Sequence, residues 1–258
     1  MMNSPIPTRV VPYGFTVEGL GAHSSRTIML KELKLLLAAC PPDTDTEGYH
    51  IAILEDNVLL KRTESTRRKS FRHLRELYGL NRSLLIFRAL RSVWDHDAAA
   101  QPALALLCAI ARDPSLRSTA ELILSLPRDA PVTSGMLAQA AESHFPGLSR
   151  ATTLATIGRN AASSWTQSGH LVGRRSKVRA QAPSHPTSVA YALLLGHLCG
   201  AQGEALFRTL WARILDNPVH TLREQAMVAS QQGWLEYRRA GDVTDITFHH
   251  FLREASYE

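Results

Sequence analysis

Between Lys61 and Arg75 the chain carries seven Lys or Arg residues and a single acid, Glu64. On an α-helix, Arg68, Arg72 and Arg75 recur at i, i+4 and i+7 and form a cationic stripe. Lys69 extends that stripe around the cylinder, and Arg62 and Arg67 belong to the same run. Phe71, Leu74, Leu77 and Tyr78 fall on an adjoining face suited to a core. Guanidinium forks match phosphate oxygens. Ser65 and Thr66, at the helix start, leave backbone N–H groups that also suit a phosphate. The pattern predicts a nucleic-acid contact. The plainer alternatives are a solvated charged face or a protein contact.

A second constellation spans residues 149–179. Ser149 is placed to cap a helix in which Leu154, Ile157, Ala161 and Trp165 share one face. Thr156, Asn160, Ser163 and Gln167 share the opposite face, polar yet uncharged, as in a helix that meets base edges. Arg150 and Arg159 flank this stripe. Gly169 is suited to end the helix, and HLVGRRSKVRA then predicts a small hairpin bearing Arg174, Arg175, Lys177 and Arg179. A helix followed by a basic wing is the order of a winged-helix unit, whose helix enters the major groove while the wing follows a phosphate strand. The bland reading is that Asn160, Ser163 and Gln167 satisfy neighbours inside a helical bundle.

Signals for catalysis are weak. GxGxxG, GxxxxGK[ST], HExxH and GxSxG are all absent. Asp95-His96-Asp97 follows a helix end and reads as a solvated loop. His249-His250 has no carboxylate or Cys partner at ligand spacing. Cys40, Cys108 and Cys199 are far apart, lack zinc spacing and read as buried reduced thiols. No catalytic residue, metal or cofactor is assigned.

These residues must be positioned by a chain of 258 residues, 45% apolar and 20% charged, enough for one large domain or two to three small ones. The formal charge is +6 and the pI about 9.5, which favours a polyanionic partner only weakly. The N-terminus lacks the apolar core of a signal peptide. The longest uncharged apolar run, Ala103–Ala111, is too short for a bilayer, so no membrane contact and a cytoplasmic location are expected.

The periodicity predicts a mainly α protein, a helical bundle with winged-helix units and short β-hairpins. Residues 1–22, rich in Pro and Gly, read as an arm or an irregular lead-in. Helices are expected from Ser24 or Ser25 to Ala39, His50 to Lys61, and then through the basic segment to Gly79. In the middle they run over Arg82–Trp94, Pro102–Arg112, Leu116–Leu126 and Met136–His144. Residues 180–188 read as a linker. Helices near Val189–Cys199, Glu204–Leu215 and Thr221–Gln232 precede a hairpin of Trp234–Arg239 and Val243–Phe248 around Ala240–Gly241–Asp242. This last group repeats the order helix, Gly, strand, turn, strand, with Arg238 and Arg239 near the turn. The predicted divisions are 1–80, an N-terminal helix-turn-helix-like unit with the basic helix, 81–185, the helical middle with a winged unit, and 186–258, a C-terminal module.

The stretch AILEDNVLLKRTESTRRKSFRHLREL at 52–77 resembles the BrxA family of bacterial BREX phage-defence systems. Asn57, Arg62, Thr63, Ser65, Thr66 and Arg68 carry the likeness, and the downstream order of helices ending on Gly169, His170 and Leu171 is also similar. The resemblance implies a small, helical, non-enzymatic protein that binds double-stranded DNA beside other phage-defence components. The rival expectations are an adaptor docking on an acidic partner and a metal-dependent hydrolase with a non-local site.

Overall fold

The computed structural model describes residues 6–147, 150–241 and 243–253. The first half is helical: α1 (Leu30–Ala39), α2 (Thr46–Leu54), α3 (Glu64–Tyr78), α4 (Leu85–Trp94), α5 (Gln101–Arg112), α6 (Pro114–Ser118) and α7 (Ala120–Ser125). Then come β1 (Pro131–Val132), α8 (Ser134–His144), α9 (Ala151–Gln167), β2 (Leu171–Val172) and β3 (Lys177–Arg179). The chain continues with α10 (Pro186–Leu198), α11 (Leu210–Ile214), α12 (Val219–Gln231), β4 (Glu236–Ala240), β5 (Val243–Thr247) and α13 (His249–Leu252). The protein is therefore mainly α. No helix among the described residues is long and apolar enough to cross a membrane.

Two helices make the centre. Every residue of α5 from Ala103 to Ala111 is buried, as is every residue of α10 from Thr187 to Gly196. Helices apolar all round belong in an interior, and the amphipathic ones wrap them. One continuous apolar cluster runs from Val10 to Phe251 and draws on all three expected divisions. The Tyr191 hydroxyl, on α10, donates to the Ile86 carbonyl on α4 at 2.9 Å.

Several boundaries differ from the sequence expectation, each for a tertiary reason. The lead-in is no loose arm: Val10, Phe15, Ala22 and His23 are buried, and the Thr16 N–H donates to Ala111 O at 3.0 Å. Helix α1 starts at Leu30 rather than Ser24, because Ser24 closes a 3-10 turn and Met29 is left-handed, φ 51°. Helix α2 stops at Leu54, before a loop stapled by Asn57, which accepts from Lys61 N and donates to Lys61 O. The expected helix 116–126 breaks at Thr119, whose hydroxyl is taken by Leu116 O and by the Trp165 indole. The presumed linker is packed: Ala182 is buried, and the Gln181 amide donates to Asp216 O and Asn217 Oδ1. Glu204–Leu215 is a 3-10 turn followed by α11, because Thr209 caps a new start. Helix α13 was not anticipated.

The strands follow the sequence more closely. β1, β3 and β2 form one antiparallel sheet in that order, pairing Pro131 with Val178 and Leu171 with Arg179. β4 and β5 form the C-terminal hairpin, with Glu236 opposite Thr247 and Ala240 opposite Val243. Its expected turn residue Asp242, and the expected cap Ser149, lie outside the described residues.

Candidate nucleic-acid interface

The local sequence explains how α3 presents its charges. Thr63 is the N-cap, its Oγ1 accepting the Thr66 N–H at 3.2 Å, and the helix ends on Gly79 at φ 90°. Leu74, Leu77 and Tyr78 are buried, and Phe71 meets the edge of His50 at 5.0 Å. That anchoring leaves Arg62, Ser65, Thr66, Arg68, Lys69, Arg72 and Arg75 exposed, and Arg67 half-buried. Arg68 is 67% exposed and Arg72 63%.

The charges are not all free. Arg68 reaches Glu64 at 2.5 Å and holds that carboxyl below its usual range. Arg72 lies 4.0 Å from Glu76, and Arg75 covers the Phe71 ring at 5.8 Å. Such exposed pairs are weak, so a phosphate can displace them at small cost. Among the described residues no ion pair involves Arg62 or Lys69. The Thr66 N–H, expected to be open for a phosphate, is spent on Thr63. Burial pushes the His73 imidazole down, with the charges of Arg72 and the exposed Arg26 acting in the same direction and Glu76 against them.

Helix α9 keeps its expected apolar face, but part of its polar face is covered. Leu154, Ile157, Ala161 and Trp165 are buried as predicted. Asn160 and Gln167 are half-buried and already engaged: Asn160 Nδ2 donates to His23 O at 2.9 Å, and Gln167 Oε1 accepts from Leu30 N at 3.1 Å. Ser163 is half-buried and accepts from Gln167 Nε2 at 3.3 Å. The lead-in residues 23–30 thus cover part of the polar face. The more accessible side carries Thr152, Ala155 and Arg159, and Arg159 donates to Thr156 Oγ1 at 2.9 Å. Gly158 permits the close crossing with α8, since a Cβ there would meet Ser134 O at 2.1 Å.

The basic hairpin also divides. Arg174 and Arg175 are exposed at its tip. Lys177 is half-buried, its ammonium donating to Thr166 Oγ1 at 2.8 Å. Arg179 is not on the wing surface at all. It is 4% exposed, forks onto Asp216 at 2.6 and 2.9 Å, and donates to Ile123 O at 2.8 Å. At the C-terminal hairpin Arg238 pairs with Glu236 at 3.1 Å.

A constellation that the sequence did not reveal lies beneath α9. His23 Nδ1 is 2.8 Å from Asp113 Oδ2, and His23 Nε2 is 2.8 Å from Ser164 Oγ. The order matches a Ser-His-Asp relay. Its surroundings do not suit hydrolysis: His23 and Ser164 are 0% exposed, and Ser164 Oγ also accepts from Ile28 N and contacts Asn160 O. A nucleophile needs room for a substrate carbonyl, and here backbone fills that room. The relay is a clamp on the lead-in. Gly21 belongs to it, because a Cβ at that left-handed residue would sit 2.5 Å from the Asp113 carboxylate.

Asp95, His96, Asp97 and His250 have structural partners, while His249 is exposed. Asp95 pairs with Arg91 at 2.6 Å, Asp97 with His185 at 3.0 Å, and His96 packs edge-on against Trp234. Trp234 also packs against His250, with ring centroids 4.9 Å apart. Among the described residues no group of three or more His, Cys, Asp or Glu side chains is arranged to hold a metal. Burial pushes the Cys108 thiol up to about 11, which suits inert packing. No protein-family model and no curated protein matches the chain.

Proposed function

We propose that this protein is a non-enzymatic double-stranded DNA-binding protein that reads the backbone through α3 and a winged-helix unit. The observation that carries this reading is the stripe Arg68, Arg72, Arg75 with Lys69, exposed on a helix whose opposite side is locked into the core. A rigid row of guanidinium forks is suited to phosphates and carries no sequence preference of its own. The order β1, α8, α9, β2, β3, with β3 between the other two strands, supports the winged-helix assignment. In that unit Arg159 on α9 and Arg174 and Arg175 at the hairpin tip make the phosphate contacts. Ser163 and Thr156, half-buried and bonded only within α9, stay in the contact set as its polar groups. Asn160, Gln167 and Arg179 are withdrawn from the contact set. The likeness of residues 52–77 to BrxA proteins favours an accessory role in a BREX-type phage-defence system, beside other defence proteins.

The test is a fluorescence-anisotropy titration with generic duplex DNA across a salt series. Affinity falls as salt rises, with a log–log slope of about −3 to −6. Arg68→Ala, Arg72→Ala and Arg75→Ala combined shallow that slope by about two to three units. Salt-insensitive binding, or none at low salt, overturns the reading. A second reading, docking on an acidic protein, draws on Leu60, which stands 79% exposed beside α3. A basic face that ignores DNA would favour it.

A further inference from the structure

A cleft of about 640 Å³ opens where α6, the end of α8, α10 and α11 meet the lead-in. That volume accommodates a small molecule. Val17, Phe145, Leu210 and Trp211 supply apolar and aromatic wall, and Arg117, Arg208 and Arg213 supply charge. Among the described residues no acidic side chain lines it.

The three arginines are in different states. Arg213 is answered by Glu121 through two bonds of 2.7 and 2.8 Å. Arg117 has no carboxylate within ion-pair distance among the described residues. Its guanidinium donates to the neutral carbonyls of Ile110, Ala111 and Thr16, at 2.8, 3.3 and 2.8 Å. Burial pulls it down to about 10, and Asp113, the acid that offsets this, is committed to His23 and the Leu116 N–H. Arg208 is exposed, and its side chain makes no ion pair or hydrogen bond among the described residues. A half-buried guanidinium without a counter-charge is costly, and a second one stands open beside it. His144 adds a ring nitrogen, its Nδ1 being engaged by Ala140 O at 3.1 Å.

We propose that this cleft binds a small amphiphilic anion, a ring body carrying a phosphate or a carboxylate. The ring lies against the half-buried Phe145 and Leu210, over the buried Trp211, and the anion meets Arg208 and Arg117. The site stands apart from the DNA reading, because no residue of α3 lines it.

Calorimetric titration of the full chain tests this with 1-naphthyl phosphate and 1-naphthoate, beside inorganic phosphate and 1-naphthol. One of the two naphthyl anions binds at least about tenfold more tightly than inorganic phosphate and 1-naphthol, since it joins both contacts. The tighter of the two identifies the anion. Arg208→Glu weakens that binding about tenfold or more, the loss of a charge-assisted contact. Ala205→Trp, at an exposed lining position, fills the cleft and abolishes binding without disturbing the core. Arg239→Glu, the same charge change on the C-terminal hairpin, leaves it intact. Absence of naphthyl-anion binding to the wild type at millimolar concentration overturns the proposal. So does unchanged affinity in both cleft variants, or an equal loss in Arg239→Glu.

Discussion

Ser164→Ala is the sharpest test of the clamp beneath α9. Its hydroxyl is fully buried and accepts the Ile28 N–H at 3.0 Å while facing His23 Nε2 at 2.8 Å. Alanine removes one oxygen and strands two polar groups where no water reaches. Each buried group left unpaired costs about 1–3 kcal/mol. The contact with Asn160 O adds little, because that carbonyl already serves the helix. The variant therefore loses about 2–4 kcal/mol, a large share of the ~5–15 kcal/mol typical of a folded domain. Urea unfolding followed by tryptophan fluorescence reads this as a lower midpoint at unchanged slope. The melting temperature falls by on the order of 5–10 °C. Ser163→Ala is the internal control: one residue away, half-buried and bonded to Gln167 alone, it stays within about 0.5 kcal/mol. If Ser164→Ala also stays within that margin, the relay is not a clamp and the account of the lead-in is wrong.

Three further outcomes follow from the same contacts. Arg174→Ala with Arg175→Ala shallows the DNA salt slope by about two units and leaves the urea midpoint unchanged; an early melt would mean that the tip is buried structure. Arg179→Ala, by contrast, breaks a buried fork onto Asp216 and costs about 3–5 kcal/mol, measured by the same unfolding assay. Burial lowers His170 to about 4, so the folded state binds fewer protons than the unfolded state, whose histidine titrates near 6.5. Stability is then complete above about pH 6.5 and falls by roughly 3 kcal/mol as pH drops to about 4, a loss that His170→Gln flattens; equal acid sensitivity in that variant would contradict it.

How far the sequence revealed this arrangement depended on how local each cause was. Helices α3 and α8 were legible because Thr63 and Thr133 cap them within three residues, and a periodic apolar face follows. The hairpin β4–β5 was legible from its alternation and its Gly241 turn. The lead-in was not, since Pro and Gly signal irregularity without saying whether it is exposed. What buries it is the Asp113–His23–Ser164 relay, whose members are 90 and 141 residues apart along the chain. The cleft was hidden for the same reason, being assembled from five separated segments.

The candidate contact residues show the same limit most clearly. Arg174, Arg175 and Arg179 look alike in sequence, yet β3 pairs with β1 and β2 and turns Arg179 inward to a partner 37 residues later. Asn160 and Gln167 sit opposite Trp165 on α9, but a helix inside a bundle has more than one buried side. Their partners His23 and Leu30 arrive from 137 residues away. Removing these residues narrows the surface in a way that binding data can check. The exposed cations of the reading are Arg62, Arg68, Lys69, Arg72, Arg75, Arg159, Arg174 and Arg175. At about 0.9 released counterions per neutralised phosphate, these eight set a ceiling near a slope of about −7. Two of them, Arg68 and Arg72, must first shed Glu64 and Glu76, which pulls the expected value below that ceiling. A measured slope steeper than about −7 would require cations beyond these eight, and would place the DNA on a different or larger surface.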